Sequence, residues 1–338
     1  MASPKPFVAE LPPDPIIFGY SDAMQEVRQR IDRIADSSVP VLIQGESGTG
    51  KEIIAKLLHQ RSSRRAGPFV KINCPAIPGT LIESELFGYE KGAFTGADGS
   101  KPGLVELAHG GTLFLDEISE LDFGLQSKLL QLLQDGQFYS IGGKREKQVE
   151  VRFLCATNRN LERAIRAGTF REDLFYRIKV VNLSVPALRN RQGDIPLLVD
   201  YFLRFYSQQY HRELCPFSPK TMSTLQRYSW PGNVRELENL IKSYVILGSE
   251  ESLRLELSRV EKHNNNGNSS EDDPTSLKAA VRALENRLIL QTLEENHWNR
   301  RLAARLLKIS YRSLMYRLKQ SDGFLRQRSR VGSQASND

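Results

Sequence analysis

The stretch Val39-Pro40-Val41-Leu42-Ile43-Gln44-Gly45-Glu46-Ser47-Gly48-Thr49-Gly50-Lys51-Glu52 decides the fold. Val39 to Ile43 is a short apolar run of the kind that forms a buried strand. Gly45, Gly48 and Gly50 then let the backbone wind tightly, so that consecutive N–H groups point inward at phosphate oxygens. The amphipathic stretch Ile53 to Gln60 predicts a helix from about Glu52, whose N-terminus adds partial positive charge. Lys51 supplies a full charge for β- and γ-phosphates. Strand, glycine-rich loop and helix in that order are the context a Walker A loop requires. Glu52 stands where the commonest version carries Ser or Thr for magnesium, so the metal must lean on other ligands.

Further apolar runs lie on either side. Phe69-Val70-Lys71-Ile72, Thr112-Leu113-Phe114-Leu115 and Val151-Arg152-Phe153-Leu154-Cys155 are expected strands, separated by helical patterns such as Leu125 to Gln134. That alternation predicts an α/β fold with a mainly parallel sheet. From about Asp194 to Leu247 strands vanish and helical patterning takes over, as a helical lid would require. Gly110-Gly111-Thr112-Leu113-Phe114-Leu115-Asp116-Glu117 ends a buried run in two adjacent carboxylates. Asp116 is expected to organise Mg²⁺, and Glu117 to orient the attacking water.

The chain has 338 residues, 40% hydrophobic and 26% charged, enough for two or three domains and too apolar for global disorder. No apolar run reaches the ~18 residues of a membrane span, and the polar, Pro-rich start is no signal peptide. Cys74, Cys155 and Cys215 form neither a disulfide framework nor a metal spacing, which fits a reducing, cytoplasmic compartment. The five histidines form no cluster, so no transition-metal site is expected. Expected boundaries are an extension at 1–15, an α/β block at 16–190 and a lid at 191–250. They continue with a linker at 251–275, a small helical domain at 276–322 and a polar tail at 323–338.

Charge is concentrated at one end. Between Asn299 and Arg330 ten Lys/Arg face one acidic residue, whereas the rest of the chain nets −2. A polyanion bound at that end is the functional reading, and a solvated basic tail is the alternative. Leu277 to about Asn296 reads as a long amphipathic helix. Arg300 to Leu307 and Ser310 to Gln320 follow as shorter ones joined by Lys308-Ile309, with Leu302/Leu306 and Leu314/Leu318 expected on inward faces. This is a helix-turn-helix pattern that would present Ser310, Tyr311, Arg312, Ser313 and Arg317 to the major groove of double-stranded DNA. A small dimerisation bundle is the other reading, and the two roles can coexist.

With these motifs go Glu85-Leu86-Phe87-Gly88, the hexapeptide Gly92-Ala93-Phe94-Thr95-Gly96-Ala97, and Trp230-Pro231-Gly232-Asn233-Val234-Arg235-Glu236-Leu237. Together they resemble the AAA+ module of bacterial sigma-54-dependent transcriptional activators over roughly residues 16–248. The C-terminal block resembles the Fis-type DNA-binding domain of the same family. The hexapeptide is nearly diagnostic, whereas the other motifs indicate only an AAA+ ATPase.

The resemblance implies roles for particular residues. Residues Gly45, Glu46, Ser47, Gly48, Thr49, Gly50, Lys51 and Glu52 would bind ATP. Asn73 matches the switch asparagine that holds Glu117 from water in one state, and a strand-end amide capping the backbone is the simpler reading. Thr157 and Asn158 match sensor I, near the γ-phosphate. Arg235 matches the lid's sensor II arginine and follows Gly232-Asn233, read as a helix N-cap pair. Arg171 and Arg177 stand where the family carries arginine fingers acting in trans, so a ring, expected to be hexameric, would be needed for catalysis. Six residues of helix turn about 600°, so they cannot share a face, and one is expected at the helix entrance. The alternative is pairing with Glu172 or Asp173 on a solvated helix. Phe94 and Thr95, with the rest of Gly92 to Ala97, would touch sigma-54. A tight turn with Phe94 buried at home is the alternative.

The function implied is ATP-driven remodelling of sigma-54 RNA polymerase closed complexes into open ones from an upstream DNA site. Two other classes compete: a DNA-binding regulator using nucleotide only to assemble, and a nucleic-acid helicase or loader. Only about 15 residues precede the ATPase block, so control is expected from a separate regulatory protein, from expression level, or to be absent.

Overall fold

The computed structural model describes residues 11–77, 79–213, 215–251, 253, 292 and 302. Helices α1 (Asp14–Phe18) and α2 (Asp22–Ile34) lead into β1 (Val41–Gln44), α3 (Lys51–Gln60) and β2 (Phe69–Asn73). Then come α4 (Gly79–Phe87), β3 (Gly88–Tyr89), β4 (Lys101–Pro102), α5 (Leu104–Leu107) and β5 (Thr112–Asp116). Next are α6 (Phe123–Asp135), β6 (Gln137–Tyr139), β7 (Glu146–Gln148), β8 (Arg152–Thr157), α7 (Leu161–Arg166), α8 (Glu172–Ile178) and β9 (Val181–Ser184). Helices α9 (Ile195–Gln209), α10 (Pro219–Arg227) and α11 (Asn233–Leu247) complete the elements.

Five strands form one parallel sheet in the order β2-β5-β8-β1-β9. The expected α/β architecture is therefore present. Side chains alternate across the sheet, so its two faces fill two cores. Leu113, Leu115 and Cys155 join Leu125, Leu129 and Leu174 of α6 and α8 on one face. Phe114, Leu154 and Ile43 join Val27, Ile31, Ile54 and Leu58 of α2 and α3 on the other. Coverage on both sides explains why β5 and β8 read as nearly continuous apolar runs.

Three details differ from expectation. β1 begins at Val41 rather than Val39. The strand is paired on both sides, and Pro40 has no N–H to give to a ladder. β9 was not expected at all, because Val181-Asn182-Leu183-Ser184 sits at the sheet edge and fully buries only Leu183. Two antiparallel hairpins, β3–β4 and β6–β7, are inserted between the sheet elements. They meet where Tyr89 bridges Ile141.

The helical segment expected after Asp194 is α9 to α11. Trp230 is fully buried, and its indole N–H donates to Leu225 O at 2.8 Å. The chain divides into two compact units, Met1–Leu257 and Ser258–Asp338. The expected DNA contacts Ser310, Tyr311, Arg312, Ser313 and Arg317, and nearly all of the expected linker, lie outside the described residues. Thr292 and Leu302 are helical. Leu302, however, is 40% exposed, which corrects its expected inward placement. An i,i+4 spacing fixes which residues share a face, not how deeply each is buried. Among the described residues no helix is long and apolar enough to cross a membrane.

Candidate active site

The phosphate loop runs from the C-terminal end of β1 into α3. Gly48 (φ 78°) and Gly50 (φ 101°) are left-handed, a conformation that glycine adopts without steric cost. The loop closes on itself through Thr49 Oγ1, which donates to Glu46 O at 2.8 Å. It is tied to β8 by Gly45 N–H, 3.3 Å from Thr157 O. Lys51 opens α3 and is buried. Its ammonium donates to Gly45 O at 2.9 Å and Glu46 O at 3.3 Å, and lies 3.3 Å from Glu117 Oε1.

Asp116 and Glu117 stand at the end of β5, beside this loop. Glu117 is left-handed (φ 55°), and its Oε2 accepts the backbone N–H of Asn158 at 2.8 Å. Thr157 is fully buried, with Oγ1 3.0 Å from Ser119 Oγ and accepting Arg159 N–H at 3.0 Å. The two expected sensor I residues and Glu117 are thus brought together. Asn73 ends β2 in register with Asp116 and is exposed. Glu117 is held by Asn158 and Lys51 in this state, with Asn73 outside that set of bonds.

Lys71 is a member of this site that the sequence did not single out. Its ammonium donates to Glu52 Oε2 at 2.6 Å and lies 3.6 Å from Asp116 Oδ2. A lysine two residues before Asn73, on the same strand face, was the available signal. Burial pushes the Asp116 carboxyl above its ordinary value; Lys71 opposes the rise and Glu117 adds to it. For Glu52, burial acts upward, but bonds from Lys71 and Lys56 outweigh it and hold the carboxyl low. A cation already sits between two carboxylates here. Glu52 is taken up by Lys71 and Lys56, so Asp116 is the carboxylate here whose hard oxygens fit Mg²⁺.

The outer side of the phosphate loop is clasped by the lid. Val234 and Arg235 give their N–H groups to Gly48 O at 3.0 and 3.3 Å, and Arg235 Nη1 donates to Ser47 Oγ at 3.1 Å. A Cβ on Gly48 would stand 2.3 Å from Gly232 O, so only glycine permits this approach. The Glu46 side chain also turns toward the lid and pairs with Arg189. That guanidinium, with help from Asn233, holds the Glu46 carboxyl below its ordinary range. Gly232 does occupy the N-cap of α11, but the expected side-chain cap is absent. The Asn233 carboxamide is used elsewhere, and the Glu236 carboxylate accepts Gly232 N–H at 2.8 Å instead.

Arg171 is the N-cap residue of α8 and Arg177 lies in its last turn, the arrangement the 600° argument requires. Arg171 makes a two-pronged pair with Asp173, at 2.9 and 2.7 Å, and donates to Ser127 Oγ at 3.1 Å. Arg177 donates to Leu133 O at 2.9 Å. Neither is bonded to the phosphate loop of its own subunit among the described residues. Between β3 and β4, Gly92 N–H donates to Ala97 O at 2.9 Å and closes the hexapeptide into a loop. Gly92 and Gly96 are both left-handed, Ala97 is buried and Thr95 is exposed. Phe94 remains 44% exposed with its ring edge-on to Tyr89 at 5.0 Å, so it is not a core residue.

Residues 17–184 match the Sigma-54 interaction domain family and residues 189–277 an AAA+ ATPase lid domain. Residues 280–320 match the bacterial regulatory proteins of the Fis family. The chain is 44% identical over 309 residues to "Regulatory protein AtoC" of Escherichia coli K12, covering 90% of this chain and 67% of that protein. It therefore belongs to the sigma-54 activator family. Against "Response regulator protein PilR" of Pseudomonas aeruginosa, identity is 41% over 93% of this chain and 71% of the relative. The crystal structure of NtrX from Brucella abortus with ADP superposes at a TM-score of 0.66, with 35% identity over 90% of this chain and 68% of that one. This activator is an AAA+ ATPase with a Fis-type helix-turn-helix, and it binds ATP. The hexapeptide loop, the phosphate loop and both carboxylates lie inside its Sigma-54 interaction domain, whereas Asn233 and Arg235 come from the lid.

Proposed function

We propose that this activator uses ATP hydrolysis, shared between neighbouring subunits of a hexameric ring, to drive the Gly92–Ala97 loops against sigma-54. The RNA polymerase closed complex is thereby remodelled into an open one, while the Fis-type module holds upstream double-stranded DNA. The reading places the protein in the cytoplasm with the polymerase. The observation that carries it is the hexapeptide loop, closed by its own backbone bonds yet leaving Phe94 44% exposed and Thr95 exposed. An exposed aromatic on a self-supporting loop is available to a partner, and this reading makes it the output surface.

In this proposal the loop N–H groups and Lys51 hold the phosphates, and Glu117 orients the water. Thr157 and Asn158 sense the γ-phosphate, and Asn73 exchanges for Asn158 as the Glu117 partner in a second state. Asp116 would hold Mg²⁺, which would supply neutralisation of the phosphate charge. Arg171 and Arg177 serve the neighbouring subunit's ATP. Two features support a self-interface beside them: Tyr176 is 67% and Val180 54% exposed on the same segment.

The test is to measure ATP turnover and open-complex formation on a sigma-54 promoter with the same protein. Both activities are expected together. Turnover without open complexes would favour the helicase or loader, and assembly without turnover the regulator that uses nucleotide only to assemble.

A further inference from the structure

We propose that Asn233 is a positioning residue for ATP hydrolysis, its buried carboxamide tying the phosphate loop at Ser47 and Glu46 to the lid entry at Leu188. Oδ1 accepts Leu188 N–H at 2.8 Å, and Nδ2 donates to Ser47 O at 3.0 Å and Glu46 Oε2 at 3.2 Å. One amide thus joins three segments far apart in sequence, with no exposure to water. Its backbone is left-handed (φ 53°), a conformation that asparagine adopts more readily than other non-glycine residues.

The neighbours of Asn233 strengthen the bridge. Arg189, next after Leu188, grips the Glu46 carboxylate, with Nη1 to Oε2 at 2.8 Å. Val234 and Arg235, next after Asn233, bond to Gly48 O. The two sides of residues 46–48 therefore have separate duties: the inner side offers N–H groups to phosphate, and the outer side is bolted to the lid. A tilt of the Ser47 peptide on phosphate binding must move the Asn233 amide, and with it the N-terminus of α11 and Arg235. Only a neutral amide does this here. A carboxylate lacks the donor for Ser47 O and would repel Glu46.

Ground-state affinity comes mainly from Lys51 and the loop N–H groups, so loss of the bridge should act on turnover. In the full chain, Asn233→Gly keeps the left-handed backbone at no steric cost and removes the side chain, carboxamide included. The expected result is a kcat lowered about tenfold or more, with KM and the affinity for a fluorescent ATP analogue within roughly threefold of wild type. Asn233→Asp should lose kcat similarly. Adding Glu46→Gln should restore part of it, because a donor and an acceptor again face each other across the contact. A merely structural Asn233 predicts lower thermal midpoints, wild-type kcat per folded molecule and no rescue, and that result overturns the inference.

The inference rests on the proposed hydrolysis of ATP at this loop; the part played by Arg235, which follows on the same helix, is tested separately by Arg235→Ala. Loss of turnover in Arg235→Ala with none in Asn233→Gly overturns the bridge and keeps Arg235. The reverse pattern keeps the bridge and removes Arg235 from the proposal.

Discussion

Lys51 and Glu117 form a largely buried ion pair, Nζ to Oε1 at 3.3 Å, beside the phosphate loop. The cation meant for phosphate and the carboxylate meant for water therefore neutralise each other. Phosphate binding must exchange the partner of Lys51, which frees Glu117 in the same step. Lys51→Ala should abolish nucleotide binding. Glu117→Ala should bind ATP at least as tightly as wild type, because Lys51 no longer has a competitor, while turnover stops. Isothermal titration and phosphate release measure the two effects, and near-normal turnover in Glu117→Ala would sink the assignment.

Arg171→Ala and Arg177→Ala should each lose hydrolysis while retaining ATP binding, since neither touches the phosphate loop of its own subunit. A Lys51→Ala subunit keeps both arginines, so mixing it with either variant should recover some turnover. If no ratio recovers activity and sizing shows intact assemblies, action in trans is wrong.

Thr95→Ala removes one exposed hydroxyl between two left-handed glycines and should leave stability within about 0.5 kcal/mol. ATP turnover should survive while sigma-54 engagement and open-complex formation fail. Wild-type transcription from Thr95→Ala would end the claim that this loop is the output surface.

Arg152 is fully buried at the start of β8 and donates to Ala35 O at 2.6 Å, Ile34 O at 2.9 Å and Leu58 O at 3.4 Å. Its guanidinium ties the C-terminal end of α2 to that of α3, where the carbonyls carry the negative ends of the helix dipoles. Arg152→Ala should destabilise the chain by about 2–4 kcal/mol through cavity formation and unsatisfied carbonyls, read from urea denaturation.

The raised Asp116 carboxyl makes a prediction of definite sign. A carboxyl whose value is raised on folding favours the folded state when protonated, and that contribution is lost as pH rises through the folded value. Asp116→Asn should therefore raise the thermal midpoint of the nucleotide-free protein at pH 7. The gain should vanish as pH falls below the ordinary aspartate range. A variant less stable than wild type at pH 7 would contradict the sign.

The sequence by itself determined the parallel-sheet fold, the phosphate loop, the two carboxylates and the hexapeptide, because each is a local pattern. Glycine spacing fixes a backbone path, and an apolar run ending in acids fixes a strand end. The sheet order, the short edge strand β9 and the start of β1 after Pro40 depended on pairing between distant segments. So did Lys71 and Asn233. A lysine in a strand acquires meaning only when Glu52 and Asp116 are brought beside it. An asparagine after a glycine reads as a helix cap until the lid folds back on residues 46–48. Tertiary structure decided these roles because a side chain's hydrogen bonds go to whatever the fold places within about 3 Å, and no spacing along the chain encodes that.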